Sequence, residues 1–174
     1  MTIQELEQII ARYGKDIYSF CMQLTHNAEQ AEDLYQDTFL TACRNVKKIQ
    51  AGQNVKSYLI SVVIHLWKNE RRKAAWRNRI APQQELREEL TENLTDERSD
   101  GLSECLDRER DLAVRSAVNR LDEKYRLPVL LFYMEEMSIA DIAEVLHIPQ
   151  GTVKSRLSSA RKYLEKELGE YISG

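Results

Sequence analysis

The stretch SIADIAEVLHIPQGTVKSRLSSARKYLEKEL, residues 138–168, carries two helical apolar patterns separated by a short break. In the first pattern Ala143, four residues before the turn, is small enough to let two helices pack closely. His147 and Ile148 occupy the turn, and Pro149 suits the start of the next helix, where its missing N–H costs nothing. Glycine is the usual residue at such a turn because the backbone needs positive φ; His is among the side chains enriched there, so the turn remains open to it at some cost in stability. On the second pattern Val153, Leu157, Ala160 and Leu164 share one face. That leaves Lys154, Ser155, Ser158, Ser159, Arg161 and Lys162 largely to solvent. This is the spacing of a helix-turn-helix, and the polar face is a surface for the major groove: Lys donates to guanine edges and phosphates, and hydroxyls serve either. An amphipathic helix with a merely solvated polar face has the same pattern.

Upstream, the apolar residues recur at helical spacing almost throughout. Thr2 with Glu5 is a capping-box pair ahead of Leu6, Ile9, Ile10, Tyr13, Ile17, Phe20 and Leu24, a first helix weakened at Gly14. Asn27 with Gln30 predicts a second cap, followed by the stripe Ala31, Leu34, Thr38, Ala42 and Cys43 with Tyr35, Phe39 and Val46 beside it, and an opposite face of Glu29, Asp33, Gln36 and Asp37. After a break at Gln50 to Asn54, a third helix buries Val55, Tyr58, Leu59, Val62, Val63, Leu66 and Trp67 and runs on into the basic stretch Lys68 to Arg79. Residues 81–105 are acidic and poor in large apolar side chains, and their stretch QQELREELTENLTDERSDG ends in Ser, Asp and Gly, the composition of a linker. Beyond them Leu106, Leu112, Val114, Val118 and Leu121 open a second helical set. Asp122 is placed to cap a helix through Val129, Leu130, Phe132 and Tyr133, and Pro128 is expected to end or kink it. The expected architecture is all-α: two small helical domains, 1–80 and 106–174, joined by the acidic linker, with the helix-turn-helix in the second.

Composition agrees. With six Gly and three Pro in 174 residues the chain is poor in the residues that punctuate sheets. The net charge of −3 hides an uneven distribution: residues 1–80 hold 12 basic and 8 acidic side chains (+4), residues 81–112 hold 4 and 11 (−7), and residues 113–174 hold 9 and 9. No stretch has the roughly 18 apolar residues of a membrane span and the first residues are acidic rather than basic, so a cytoplasmic protein with no membrane insertion is expected. Cys21, Cys43 and Cys105 lack C-x-x-C spacing and predict neither bridges nor a zinc site. His26, His65 and His147 fall on separate elements, and no Gly-rich phosphate loop or nucleophile and base pair is present, so no catalytic residue, metal, cofactor or small-molecule substrate is expected.

LDEKYRLPVLLFYMEEMSIADIAEVLHIPQGTVKSRLSSARKYL, residues 121–164, closely resembles the fourth conserved region of extracytoplasmic-function (ECF) sigma factors, of the sigma-seventy family. AEDLYQDTFLTACRN, residues 31–45, resembles their second region, and SYLISVVIHLWKNERRK, residues 57–73, the helix that opens and reads the promoter. Three blocks in the right order are far more specific than the helix-turn-helix alone. The resemblance implies a promoter-specificity subunit with core RNA polymerase, promoter DNA and an anti-sigma protein as partners. Asp33, Gln36, Asp37 and Phe39 match the positions that dock on a clamp coiled coil of the polymerase, where an acidic face would steer and register. Residues 50–54 match a loop that holds a flipped base, so Gln53 and Asn54, with His65, Asn69, Arg72, Lys73 and Trp76, form the expected minus-ten set. Tyr58, Ser61 and His65 depart from the family's usual Trp, Arg and Asn. Trp67 falls on the apolar stripe and reads as core, whereas Trp76 reads equally as a stacking platform or as an anchor for the helix end. Thr152, Lys154, Ser155, Arg156, Ser158, Ser159, Arg161 and Lys162 form the expected minus-thirty-five set, with Arg156, Arg161 and Lys162 on phosphates and Ser159 standing where the family commonly has Arg. The linker, in the family, threads through polymerase near the template channel. A freestanding operator-binding regulator is the main rival, and it leaves the N-terminal blocks unexplained.

Overall fold

A computed structural model describes residues 2–49, 54–80 and 102–172. The chain divides into two compact units, Met1–Glu92 and Asn93–Gly174. The division falls in the stretch read as the acidic linker, which lies outside the described residues up to its last four. There the helix α4 has already begun, at Leu102.

The first unit holds three helices, α1 (Ile3–Thr25), α2 (Ala28–Arg44) and α3 (Val55–Ile80), with a short 3-10 turn at Val46–Lys48. The capping box forms: Glu5 N–H donates to the Thr2 hydroxyl at 3.2 Å and Thr2 N–H donates to the Glu5 carboxylate at 2.6 Å. Asn27 caps α2 by accepting from Gln30 N–H at 3.0 Å. Between these caps α1 runs unbroken through Gly14. Ile17, Phe20, Cys21 and Leu24 of α1 meet Ala31, Leu34, Phe39 and Ala42 of α2, and α3 covers both with Leu59, Ile60, Val62, Val63, Ile64 and Trp67. The first half of α3 is thus buried nearly all round, which the apolar stripe alone did not indicate for Ile60 and Ile64. Thr38 is fully buried, its hydroxyl donating to the Leu34 carbonyl at 2.7 Å, so this polar core side chain of α2 is satisfied within its own helix. Lys56 and Asp16 pair at 3.2 Å, joining the start of α3 to α1.

The second unit consists of α4 (Leu102–Arg120), α5 (Glu123–Val129), a π turn at Leu130–Met134, α6 (Ile139–Leu146) and α7 (Gln150–Ile172). Pro128 lies buried in the last turn of α5, which ends at Val129, and the backbone continues as a π turn, with Glu135 N–H donating to the Leu130 carbonyl five residues back. Asp122 starts α5, but with its backbone carbonyl alone; its side chain makes no capping bond. The apolar set read for α4 is corrected: Ala117 and Leu121 are buried, whereas Leu106, Leu112 and Val114 are exposed. The core is completed by Leu127, Leu131, Met137, Ile142, Leu146, Val153, Leu157, Ala160 and Leu168. Among the described residues there is no strand, and no helix is long and apolar enough to cross a membrane.

Candidate nucleic-acid interface

The helix-turn-helix closes as its sequence requires. Ser138 caps α6, accepting from Asp141 N–H at 3.1 Å. At the other end His147 takes the left-handed conformation (φ 55°, ψ 45°), and Ile148 N–H donates to the Ala143 carbonyl at 3.0 Å, the six-to-one bond of a Schellman turn. The Pro149 carbonyl then accepts from Thr152 and Val153 to open α7. Val153, Leu157 and Ala160 are buried, which fixes the rotation of α7 and turns Lys154, Ser155, Ser158, Ser159, Arg161 and Lys162 to solvent, with Thr152 and Arg156 half-buried at the flanks. All eight expected residues of this helix therefore lie on or beside one surface. Arg161 is already engaged: its Nε donates to the Tyr133 hydroxyl at 2.6 Å, and its guanidinium lies 5.7 Å from the ring centres of both Phe132 and Tyr133.

On α3, His65, Asn69, the adjacent pair Arg72 and Lys73, and Trp76 follow at three- and four-residue steps and form one stripe along the helix. The His65 ring Nε2 lies 3.1 Å from the Asn69 amide nitrogen, and Lys73 pairs with Glu70 at 3.2 Å. Trp76 is 65% exposed, so the described residues give it no hydrophobic bed, and Ile80, one turn on, is exposed beside it. Trp67 is in the core, with Arg71 stacked on its ring at 4.9 Å. Of the expected loop, Gln53 lies outside the described residues, and Asn54 spends its side-chain oxygen on capping α3, accepting from Ser57 N–H at 3.3 Å. Ser61 is likewise turned inward on its own helix, donating to the Tyr58 carbonyl at 2.6 Å, and burial raises the pKa of the Tyr58 phenol.

On α2, Asp33, Gln36 and Asp37 are exposed, and among the described residues neither aspartate makes an ion pair. Phe39 does not join them: it is 6% exposed and packs edge-on against Tyr35 with centroids 4.9 Å apart. The side chain that shares the acidic face is its neighbour Leu40, 53% exposed. A groove of about 570 Å³ separates this face from α3, with Asp33, Gln36 and Asp37 on one wall and Asn69, Lys73 and Arg77 on the other, over Leu66 and Trp67. Acid and base thus line opposite sides of one cleft.

Two family matches cover most of this architecture: residues 9–77 match Sigma-70 region 2, and residues 111–164 match Sigma-70, region 4. The ECF RNA polymerase sigma factor SigL of Mycobacterium tuberculosis is 31% identical over 155 residues, spanning 88% of this chain and 83% of that protein. The chain belongs to the ECF RNA polymerase sigma factors. SigW of Bacillus subtilis, also an ECF RNA polymerase sigma factor, is 29% identical over 163 residues, covering 92% of this sigma factor and 87% of its own length. Among solved structures, the sigma factor RpoE of Bartonella quintana, crystallised with the anti-sigma factor NepR, has the same fold: TM-score 0.79, 23% identity, 96% of this chain and 98% of that one covered. CnrH, solved in complex with the cytosolic domain of CnrY, aligns with TM-score 0.66 at 19% identity over 97% and 90% of the two chains. Membership makes the protein a transcription initiation factor and not an enzyme. Two features of this sigma factor were not singled out in its sequence: the exposed Leu40 on the acidic face, which follows from the helical repeat of α2, and the contact of the Tyr133 hydroxyl with Arg161, which no local pattern announces.

Proposed function

We propose that this protein binds core RNA polymerase through Asp33, Gln36, Asp37 and Leu40 of α2 and directs initiation at promoters by reading two elements with its two units. The reading rests on one observation above all: two cation-bearing polar stripes, one on α3 and one on α7, each lie on a different compact unit, while the first unit also carries an acidic α2 face, across a groove from the α3 stripe, whose aspartates make no ion pair among the described residues. A duplex reader needs a helix whose buried side fixes its rotation and whose small polar side allows close approach, and α7 has both. A reader of melted DNA needs cations for the backbone and an aromatic face for a base, and the α3 stripe supplies Arg72, Lys73 and Trp76. The domains are assigned as residues 1–80 for polymerase and the minus-ten element and 106–174 for the minus-thirty-five element, with 81–105 connecting them. Cytosolic location and control by an anti-sigma protein belong to the same proposal, the latter supported by a sigma factor of this fold solved with such a partner.

The test is in vitro transcription with purified core polymerase on a genomic promoter library, with and without this protein. New start sites that share two spaced elements are the expected result. DNA binding with no polymerase-dependent initiation would replace the proposal with an operator-binding regulator.

A further inference from the structure

We propose that Tyr133 forms, with Arg161, a two-residue clip for a DNA phosphate at the edge of the α7 recognition surface, an inference that rests on α7 being the duplex-reading helix. Tyr133 sits in the π turn Leu130–Met134, on a different element from α7, and is 54% exposed. From this turn the Tyr133 ring reaches α7. There the phenol oxygen accepts the Nε–H of Arg161 at 2.6 Å, and the Phe132 and Tyr133 rings, edge to face at 5.0 Å, flank the guanidinium.

The chemistry of the pair decides what it can bind. With Nε engaged, the side-on fork of the guanidinium is closed, and only the terminal nitrogens remain; among the described residues they bond nothing else. The phenol has used its oxygen as acceptor and keeps its own O–H as a donor, polarised by the cation that donates to it. Two donors, one of them charged, therefore point outward from a side chain whose rotamers are already fixed by the rings, which lowers the ordering cost on binding. An acceptor-only, tetrahedral, anionic group satisfies both. A DNA phosphate does so at every base pair, whereas among major-groove base edges only the N7 and O6 pair of guanine offers two acceptors and no donor. The pair thus holds the register of α7 on the duplex without contributing to the sequence read by Lys154, Ser155 and Ser158.

The experiment uses the full chain assembled with core polymerase and, as probe, duplex DNA carrying the upstream element of a promoter mapped by the transcription assay. Tyr133→Phe keeps the rings and removes only the hydroxyl at an exposed position, so folding is not at risk. It is expected to weaken binding about three- to tenfold, equally across a panel of single-base variants of the element, with the salt dependence little changed because the lost hydroxyl is neutral. Arg161→Lys, which keeps the charge and loses the fork, should weaken binding similarly, and the double variant should be little worse than the worse single one. Parent-like binding by Tyr133→Phe, a loss confined to particular base positions, or additive losses in the double variant would each overturn the clip while Lys154→Ala still weakens binding. If the parent fails to bind the probe, or Lys154→Ala and Arg161→Ala both bind it unchanged, the reading of α7 itself falls and the clip with it.

Discussion

A Cβ placed on Gly14 would stand 2.8 Å from the hydroxyl oxygen of Tyr35, so the phenol of α2 occupies the space that any other residue on α1 would need. The Tyr35 ring is held from two sides, by Tyr18 at 5.8 Å and Phe39 at 4.9 Å, both edge-on, and has little freedom to withdraw. In an open helix Gly→Ala gains about 1 kcal/mol. Here overpacking of about 1–3 kcal/mol opposes it, and Gly14→Ala is expected to destabilise by about 1 kcal/mol. In a Tyr35→Phe background, where the hydroxyl is gone, the same substitution should become stabilising by a few tenths to about 1 kcal/mol. Denaturant unfolding followed by the fluorescence of the buried Trp67 measures both; a destabilisation of equal size in the two backgrounds would show that Tyr35 is not what forbids a side chain at 14.

His147 holds the turn of the helix-turn-helix at φ 55°, where an L side chain is strained. His147→Gly relieves the strain but loosens the unfolded chain, leaving an expected net gain of about 0.5 kcal/mol. His147→Val should lose about 1–2 kcal/mol, since a β-branched side chain tolerates that backbone least. Hydrogen exchange at the α6 and α7 amides reads the difference, and equal protection in the Gly and Val variants would contradict it.

The features that were legible in the sequence are those set within a few residues of chain. Thr2 and Glu5, Asn27, and the His147 turn each satisfy backbone groups that any helix end leaves open, so residue type and spacing suffice to place them. Phe39 differs for another reason. The family resemblance places it among the polymerase-docking positions, whereas the 3.6 repeat puts it in line with Tyr35 and Ala42 on the buried side and puts Leu40 in line with Asp33, Gln36 and Asp37. On α4, Leu112 points well away from Ala117, and Leu106 shares its line about three turns earlier, where nothing described covers it; composition marks a residue as apolar but does not say whether a partner reaches it. The Tyr133 to Arg161 bond joins the π turn to a residue 28 positions on, and neither the turn nor so distant a contact has a signature in a window of sequence.

Cys21 is buried between α1 and its neighbours, and desolvation pushes its thiol up to about 12. Burial, and then the proximity of Cys21, raises the Tyr35 phenol as well. Because the folded pKa is raised, the neutral thiol favours the native state fully below the unfolded value near 9, and that contribution is lost as pH climbs from there toward 12. Thiol labelling at pH 8 should modify the exposed Cys105 at once and Cys21 only as fast as the first unit unfolds. Rapid modification of Cys21 in the native protein would mean that the α1 and α2 core opens without global unfolding.

Asp37 and Lys154 separate the two proposed duties. Asp37 is exposed and makes no ion pair among the described residues, so reversing its charge breaks nothing inside the fold. Asp37→Arg should weaken binding to core polymerase at least tenfold through repulsion from the basic partner surface, an effect that shrinks as salt rises. Leu40→Ala, by contrast, should lose affinity independently of salt, because what it removes is apolar contact at the centre of that face. Lys154→Ala should leave polymerase binding as it is and weaken recognition of the upstream element by about 1–3 kcal/mol. Each variant is assayed twice, for association with core polymerase and for upstream-element binding. Equal losses in both assays for either Asp37→Arg or Lys154→Ala would mean that the α2 and α7 surfaces do not divide the work between them.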